Sequence, residues 1–256
     1  MSPTLLPACP QAAQSRGSIR SATVTSQQLS IGSIASGRVR LRSARPWCMM
    51  TIIWMPDAMT RATSRPAASR RKDVTHERIV GAAARAIRRC GYAGTGVADV
   101  MKDVGLTHGG FYAHFASREA MLAEAADRAG AEGVAAVARV AAAAPPRKAL
   151  RALLRAYLSK THVDGVETGC AVAALGSEMP RQAPEVRRAA TRRIKDMIDL
   201  VARQSPEWGQ PGAHQHALAT VATMVGALVL ARAVDDPRLS DALREAALKH
   251  LIPTGD

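Results

Sequence analysis

The amino-acid sequence predicts an all-α protein in two parts, a small N-terminal bundle of three helices followed by a larger helical domain. The hydrophobic residues, 47% of the 256, are mostly Ala, Val and Leu, a mixture typical of packed helices. From about residue 73 onward they recur at helical spacing, and no alternating pattern convincingly indicates a β-strand. We therefore divide the chain into an extension (1–60), a basic arm (61–73), the small bundle (74–120) and the large domain (121–256).

The extension differs from the rest of the chain in composition. It is rich in Ser, Arg, Thr and Pro, has Asp57 as its acidic residue, and shows no sustained apolar period. Such a segment cannot bury a core, so we expect it to be disordered. Four methionines near its end suggest that its start is mis-assigned and that translation begins at one of them: Met49, Met50, Met55 or Met59.

The basic arm adds to a formal net charge of +14 for the whole chain. Its cations, which no acidic residue interrupts, are Arg61, Arg65, Arg70, Arg71 and Lys72. A short basic arm ahead of a folded domain usually contacts a polyanion. A solubilising tail is the alternative interpretation.

The small bundle begins with two helices that the sequence delimits by caps and glycines. Asp73 or Thr75 can cap a first helix, which Gly91 ends. Thr95 opens a short second helix with one apolar face, formed by Val97, Val100, Met101 and Val104. Gly105 supplies a tight turn after it, and Thr107 can cap a third helix. Two short helices joined by such a turn form a helix-turn-helix, in which the second helix enters the major groove of DNA.

The third helix contains an unusual aromatic cluster in a chain with only 3% aromatic residues. Phe111 and Phe115 are four residues apart, so they share the inner face. Tyr112 and His114 then face solvent or a phosphate backbone. The first turn, His108, Gly109 and Gly110, offers backbone N–H groups to phosphate. Ser117 caps a fourth helix, and Arg118 in its first turn can reach a further phosphate.

The stretch "THERIVGAAARAIRRCGYAGTGVADVMKDVGLTHGGFYAHFASREAML", residues 75–122, resembles the DNA-binding domain of TetR-type transcriptional regulators. The resemblance implies an all-helical homodimer whose C-terminal domain binds an inducer. It also implies that Arg118 takes the place of the usual phosphate-binding lysine. Because Ala98, Gly110 and Gly96 stand where the family often has polar side chains, His108 is the main candidate for reading bases. The predicted DNA-binding residues are Thr95, Thr107, His108, Gly109, Gly110, Tyr112, His114 and Arg118.

The large domain continues as helices. A long one follows Ser117 and stops at Pro145, and another runs from Pro184 to Gln204. Residues 217–231 are apolar but too short for the roughly 20 residues of a membrane span, so we interpret them as a buried helix. The last helix has an apolar face of Leu239, Ala242, Leu243 and Ala246. The last two helices are too apolar to be exposed to water, so they either complete the core or form a dimer interface, and the family resemblance favours the interface.

Candidate ligand contacts are large or polarizable residues on predicted inner helices. They are Tyr157, His162, Cys170, Met179, Met197, Trp208 and Met224. Cys170 is also a candidate sensor, since a helix N-terminus raises thiol reactivity. The four cysteines lack the paired spacing of a zinc site, and we expect no metal and no cofactor.

These patterns predict a cytoplasmic, ligand-responsive DNA-binding regulator, a repressor released from a palindromic operator by a small molecule. No signal peptide is evident, and no paired acid and base, nucleophile or metal spacing indicates an enzyme. Two alternatives remain open: a small helical enzyme that uses the C-terminal pocket, and a non-specific architectural DNA binder.

Overall fold

The computed structural model describes residues 67–252, and within this range the regular elements are all helical. The α-helices are α1 (Ala67–Cys90), α2 (Val97–Asp103), α3 (Arg118–Ala143), α4 (Ala149–Tyr157), α5 (Lys160–Asp164), α6 (Ala171–Leu175), α7 (Pro184–Gln204), α8 (Ala213–Ala233) and α9 (Pro237–Leu251). Short 3-10 helices span His108–Ala113, Pro146–Lys148, Val166–Thr168 and Met179–Arg181. The expectations for residues 1–60 and for Arg61 and Arg65 of the basic arm lie outside the described residues.

Helix α1 starts earlier than the sequence signals predicted. Residues 67–73, the described part of the arm, are already helical, and Thr75 sits within the helix, where its hydroxyl donates to the Arg71 carbonyl at 3.0 Å. The prediction of a cap at Asp73 or Thr75 was therefore wrong. Arg and Lys have high helix propensity, so the helix extends through the basic residues. The predicted end at Gly91 is confirmed, with φ at +74°.

The turn of the helix-turn-helix is confirmed, but two caps differ from the prediction. Gly105 has φ at +71°, the left-handed conformation that glycine adopts without strain. Helix α2 begins at Val97 rather than Thr95, because Gly96 between them has an extended backbone; the Thr95 hydroxyl donates to the Gly91 carbonyl at 2.8 Å. Thr107 is extended but makes no capping hydrogen bond. The third helix is a six-residue 3-10 helix, not an α-helix. Two glycines among those six residues lower its α-helical propensity.

The long helices of the large domain follow the predicted boundaries. Ser117 caps α3 by accepting a hydrogen bond from the Ala120 N–H at 3.0 Å, and α3 ends at Ala143, just before the prolines. Asp127 on α3 pairs with Arg192 and Arg193 of α7, with 2.9 Å between the charged atoms of the Arg192 pair. Helices α3 and α7 contribute to both apolar clusters of the described chain. The first cluster joins them to α1, α2 and the aromatic 3-10 helix, and the second to α4, α8 and α9.

Helix α8 is apolar on all sides. Its 21 residues are long and apolar enough, by length and composition alone, to cross a membrane. It packs against α6, α7 and α9, yet only 39% of its apolar 18-residue stretch is buried. Leu218, Val229 and Leu230 on α8, and Leu239 on α9, are large apolar side chains left exposed. The rest of the predicted face of α9 is likewise exposed or half-buried.

Candidate nucleic-acid interface and ligand cavity

The aromatic cluster fixes the 3-10 helix onto the bundle. Phe111 and Phe115 are 1% and 3% exposed, and their rings stack with centroids 5.4 Å apart. His76 of α1 stacks on Phe115 at 4.6 Å, so the inner face is held from two sides. The prediction that the two phenylalanines share the inner face is confirmed. The opposite side of the 3-10 helix is therefore exposed to solvent.

The outward side of the 3-10 helix, which we call the recognition face, consists of Thr107, His108, Gly109 and Tyr112. All four are exposed, and Tyr112 is 68% exposed although its ring contacts Phe111 and His108 edge-on. A Cβ added at Gly109 would meet no atom within 4 Å. Gly110 is half-buried, and a Cβ there would lie 3.7 Å from Met101. The recognition face thus presents the rings of His108 and Tyr112 and the hydroxyl of Thr107. Gly109 between them has no side chain, so the backbone there is accessible.

The remaining predicted DNA contacts lie elsewhere in the structure. Thr95 is 2% exposed and its hydroxyl is engaged within the chain, so the prediction of a contact from this side chain needs correction. His114 is half-buried near His76 rather than turned outward, and its Nδ1 has no partner. Burial, with His76 and Lys72 nearby, lowers the pKa of His114. The neutral form of His114 is therefore favoured.

Arg118 has a different role from the expected phosphate contact. Its guanidinium donates to the carbonyls of Tyr92 and Thr95, the latter at 3.0 Å, and so ties the α1–α2 loop to the start of α3. Arg78 acts similarly by donating to the Val104 carbonyl at 3.0 Å at the end of α2. Sequence signals did not indicate these partners, because the bonds join residues about 25 positions apart.

Positive charge near the recognition face comes from the start of α1. Arg71 and Lys72 are exposed, and Lys72 is close enough to His114 to affect its pKa. These cations therefore stand on a helix rather than on a separate arm. Exposed cations in this place favour contact with a phosphate backbone.

A cavity of about 240 Å³ lies in the large domain. Its walls come from α3, α4, α5 and residues 165–170, and three predicted ligand contacts meet there: Tyr157, His162 and Cys170. The other four do not line it. Met197 borders a separate space of about 30 Å³, Met224 is fully buried, Met179 packs against the first apolar cluster, and Trp208 is 59% exposed.

His162 is a fixed, neutral part of the cavity wall. Its Nδ1 bonds to the Tyr157 carbonyl, which as an acceptor requires a proton on Nδ1. Its Nε2 accepts the Cys170 backbone N–H at 2.9 Å, which requires that nitrogen to be unprotonated. Burial lowers the pKa of His162, in agreement with this tautomer. The histidine thereby sets the position of Cys170 at the start of α6, a helix of only five residues.

Two buried polar atoms beside the cavity have no hydrogen-bond partner. The Tyr157 hydroxyl is one, on a residue that is 1% exposed, and burial raises the pKa of this phenol well above its usual value. The other is Nη1 of Arg232, a residue that the sequence did not single out. Arg232 looked like an ordinary basic residue in the last turn of an apolar helix, which is also where it lies. Within residues 67–252, no group of His, Cys, Asp and Glu side chains is arranged to hold a metal ion.

We expect the neutral His162 to make stability fall at acid pH. Its ordinary pKa is 6.5 and its folded pKa is lower, so below about pH 6.5 the unfolded chain takes up a proton that the folded chain does not. One such group removes at most about 1.4 kcal/mol per pH unit. Urea unfolding at pH 7.5 and 5.5 should show a larger loss for the wild type than for His162→Gln. The control is His250→Gln, at an exposed histidine, and equal losses for wild type and His162→Gln would contradict this assignment.

A short exposed helix, held by a glycine turn against two others and followed by a helical domain with a cavity, defines a helix-turn-helix DNA-binding protein. Residues 79–125 match the family model for bacterial regulatory proteins of the tetR family. Residues 146–247 match the C-terminal domain of LmrA/YxaF-like transcriptional regulators. HTH-type transcriptional regulators from two strains of Mycobacterium tuberculosis are 36% identical over 166 residues, covering 61% of this chain and 83% of theirs. The chain belongs to the TetR family and is a DNA-binding transcriptional regulator.

Solved structures agree with this fold. A TetR-family regulator from Agrobacterium tumefaciens has a TM-score of 0.60 at 22% identity, over 71% of this chain and 100% of the other. The reduced form of Escherichia coli NemR has a TM-score of 0.59 at 21% identity, over 70% of this chain and 95% of that one. A TetR regulator from Chloroflexus aurantiacus reaches 0.58 at 28% identity, over 71% and 94%.

Proposed function

We propose that this regulator is a cytoplasmic homodimeric repressor, without catalytic activity, that a small molecule releases from a palindromic operator. The observation that carries the proposal is a single segment, residues 165–178, here called the linking segment. At its N-terminal end the segment lines the cavity through Gly165, Thr168, Gly169 and Cys170. At its two acidic positions it holds the end of α1.

The linking segment contacts the DNA-binding unit through two carboxylates. Glu167 pairs with Arg89 of α1 at 3.0 Å. Glu178 accepts the backbone N–H of Tyr92, two residues after the end of α1, at 2.9 Å. A ligand that binds better to another position of this segment would therefore bias the position of α1. Release of DNA is then a population shift, limited by the difference in ligand affinity between the two states.

The exposed apolar face of α8 supports the homodimer. Apart from Arg232, which turns inward, residues 218–233 contain no charged side chain. A Cβ at Gly226 would meet no atom within 4 Å, so another helix can approach closely there. With the exposed residues of α9, this surface is typical of a subunit interface. The two DNA-binding units of such a dimer must contact operator half-sites whose centres are about 34–36 Å apart, or a multiple of that distance.

A mobility-shift assay with the upstream DNA of the protein's own gene tests this function. Saturable binding that scrambled DNA does not compete away, and that a small molecule abolishes, is the expected result. Equal affinity for all sequences would indicate an architectural binder instead. Absence of DNA binding together with turnover of a small molecule would indicate the enzyme alternative.

His108→Ala and Tyr112→Phe should separate base reading from backbone contact. His108 lies at the start of the recognition face, where side chains reach base edges, so we expect its loss to cost about 1–3 kcal/mol of operator preference. Non-specific affinity should barely change. Tyr112→Phe removes one exposed hydroxyl and should weaken operator and scrambled duplexes alike. Competition binding at fixed salt measures both effects, and equal losses of the two DNAs in His108→Ala would rule out the base contact.

Glu178→Ala should weaken the coupling between ligand binding in the cavity and DNA binding by the helix-turn-helix. It leaves the Tyr92 N–H without its acceptor, so we expect faster hydrogen exchange at this amide and in the α1–α2 loop. The factor by which an inducer weakens operator binding should also fall, from the roughly 5–150-fold of typical coupling toward one. Glu178→Gln keeps an acceptor oxygen and serves as the matched control. Full coupling in Glu178→Ala would show that the signal takes another route.

A further inference from the structure

We propose that the cavity binds a small organic acid, whose carboxylate is held by the Tyr157 hydroxyl and the Arg232 guanidinium while its apolar body lies against α3. This inference deepens the proposed function, since it rests on the cavity being the ligand site and names the chemical class of the ligand. Two buried donor atoms carry it, the Tyr157 hydroxyl and Nη1 of Arg232, which have no acceptor in the described structure.

The Tyr157 hydroxyl is placed as a donor without a partner. Tyr157 lines the cavity, its ring is packed edge-on against His162 at 4.7 Å, and its side chain is 1% exposed. No group meets its hydroxyl with full hydrogen-bond geometry, although the Cys170 thiol is close enough to contribute to the raised pKa of the phenol. A buried hydroxyl without a partner costs free energy, and the cost is recovered when a ligand supplies an acceptor. A phenylalanine would have filled the same space without that cost.

Arg232 supplies the positive charge. Its guanidinium donates to the carbonyls of Val163 at 3.1 Å and His162 at 2.6 Å, which leaves Nη1 buried and unpaired. Within the described chain, its charge interacts with Tyr157 and Cys170, and neither is a carboxylate. It stands directly behind Gly169, where an added Cβ would lie 2.7 Å from its Nη2. Arg232 is therefore a partly buried cation directly behind the cavity wall, and a cation without a carboxylate partner in such a place favours an anionic ligand.

The walls and the volume define the rest of the ligand. Ala136, Val137 and Val140 of α3 and Ala156 of α4 give the cavity an apolar part of its wall. The volume of about 240 Å³ exceeds the ~150 Å³ of an engineered apolar cavity that binds benzene. An aromatic or short aliphatic acid of about the size of benzoate fits these requirements, whereas inorganic phosphate would leave the apolar part of the wall without a contact.

The first test compares benzoate with neutral benzamide and with inorganic phosphate, by calorimetry and thermal shift on the full chain without DNA. We expect saturable benzoate binding at one site per protomer and a raised Tm, with benzamide and phosphate at least about tenfold weaker, as expected for loss of a charge-assisted bond. Benzamide or phosphate binding as tightly as benzoate, or no saturable benzoate binding at millimolar concentration, would overturn the inference.

The second test uses Tyr157→Phe, which removes only the unpartnered hydroxyl. The variant should melt at a higher temperature than the wild type when free of ligand, and should bind benzoate about tenfold or more weakly. Arg232→Gln should reduce binding of benzoate more than binding of benzamide, and Tyr157→Phe keeps the test valid if Arg232→Gln does not fold. Unchanged benzoate affinity in Tyr157→Phe would contradict the proposed contact.

Different results would contradict the proposed acid site and the proposed regulation. Benzoate that binds in the cavity without altering operator affinity would leave the site standing and remove the regulatory role. Release from the operator by neutral compounds alone, with no benzoate binding, would remove the acid site and leave the regulatory role.

Discussion

The double substitution Leu218→Glu with Val229→Glu is expected to convert the protein to a monomer and to reduce operator affinity by more than about 100-fold. Both residues lie on the outward face of α8, 43% and 39% exposed, so charges there are tolerated in the separate subunit. In a symmetric interface each glutamate appears twice, so the two copies would bring additional like charges into a buried apolar surface. A monomer has one DNA-binding unit, so it loses the gain in affinity of about 10²–10⁴ that two linked units provide. Sedimentation and operator titration measure the two effects.

The matched control for this variant is Ala142→Glu, which places a charge at an exposed position of α3 outside the proposed interface. It should remain dimeric and bind the operator normally. Circular dichroism should show the same helix content for all three proteins. A dimer that persists in the double variant would mean that the subunits associate through another surface.

Phe111→Ala is expected to destabilise the protein by about 3–5 kcal/mol, the usual cost of removing a buried phenylalanine ring. Phe111 is 1% exposed and stacks on Phe115, and the 3-10 helix has few other anchors, since two of its six residues are glycines. The loss is large relative to the 5–15 kcal/mol typical of a whole domain. Specific DNA binding should disappear with it, because the recognition face is held in place by this packing.

Urea unfolding measures the Phe111→Ala loss directly. Phe111→Leu keeps most of the apolar volume and should cost less than about 1.5 kcal/mol. Tyr112→Phe, at the neighbouring exposed position, should leave stability almost unchanged. A loss below 1 kcal/mol for Phe111→Ala would show that the helix has other support.

The sequence determined those parts of the fold whose signals are local. Ser117 and the prolines after Ala144 delimit α3, and Pro184 begins α7, because caps and prolines act within one turn of the helix that they end. Gly105 was predictable for the same reason. The choice between a 3-10 and an α-helix at His108–Ala113 was not, since it depends on packing against α1 and α2 as well as on the two glycines.

Positions that depend on distant contacts escaped the sequence patterns. The pair His76 and His114 is separated by 38 residues, and Arg232 lies 70 positions from His162, to which it bonds. Tyr157, His162 and Cys170 were predicted to line a pocket and do, because they lie within fourteen residues on consecutive short helices. Met179, Met197, Trp208 and Met224 do not line this cavity, since residue size alone does not determine where a side chain packs.

Helix α8 carries Arg232 toward the cavity on one side and an apolar face toward a second subunit on the other. If both surfaces act as proposed, ligand binding and subunit association are thermodynamically linked, and each must change the equilibrium constant of the other by the same factor. The ligand concentration needed for half-saturation then varies with the amount of regulator present. A cell that changes its copy number of this protein would thereby also change the signal level to which its operator responds.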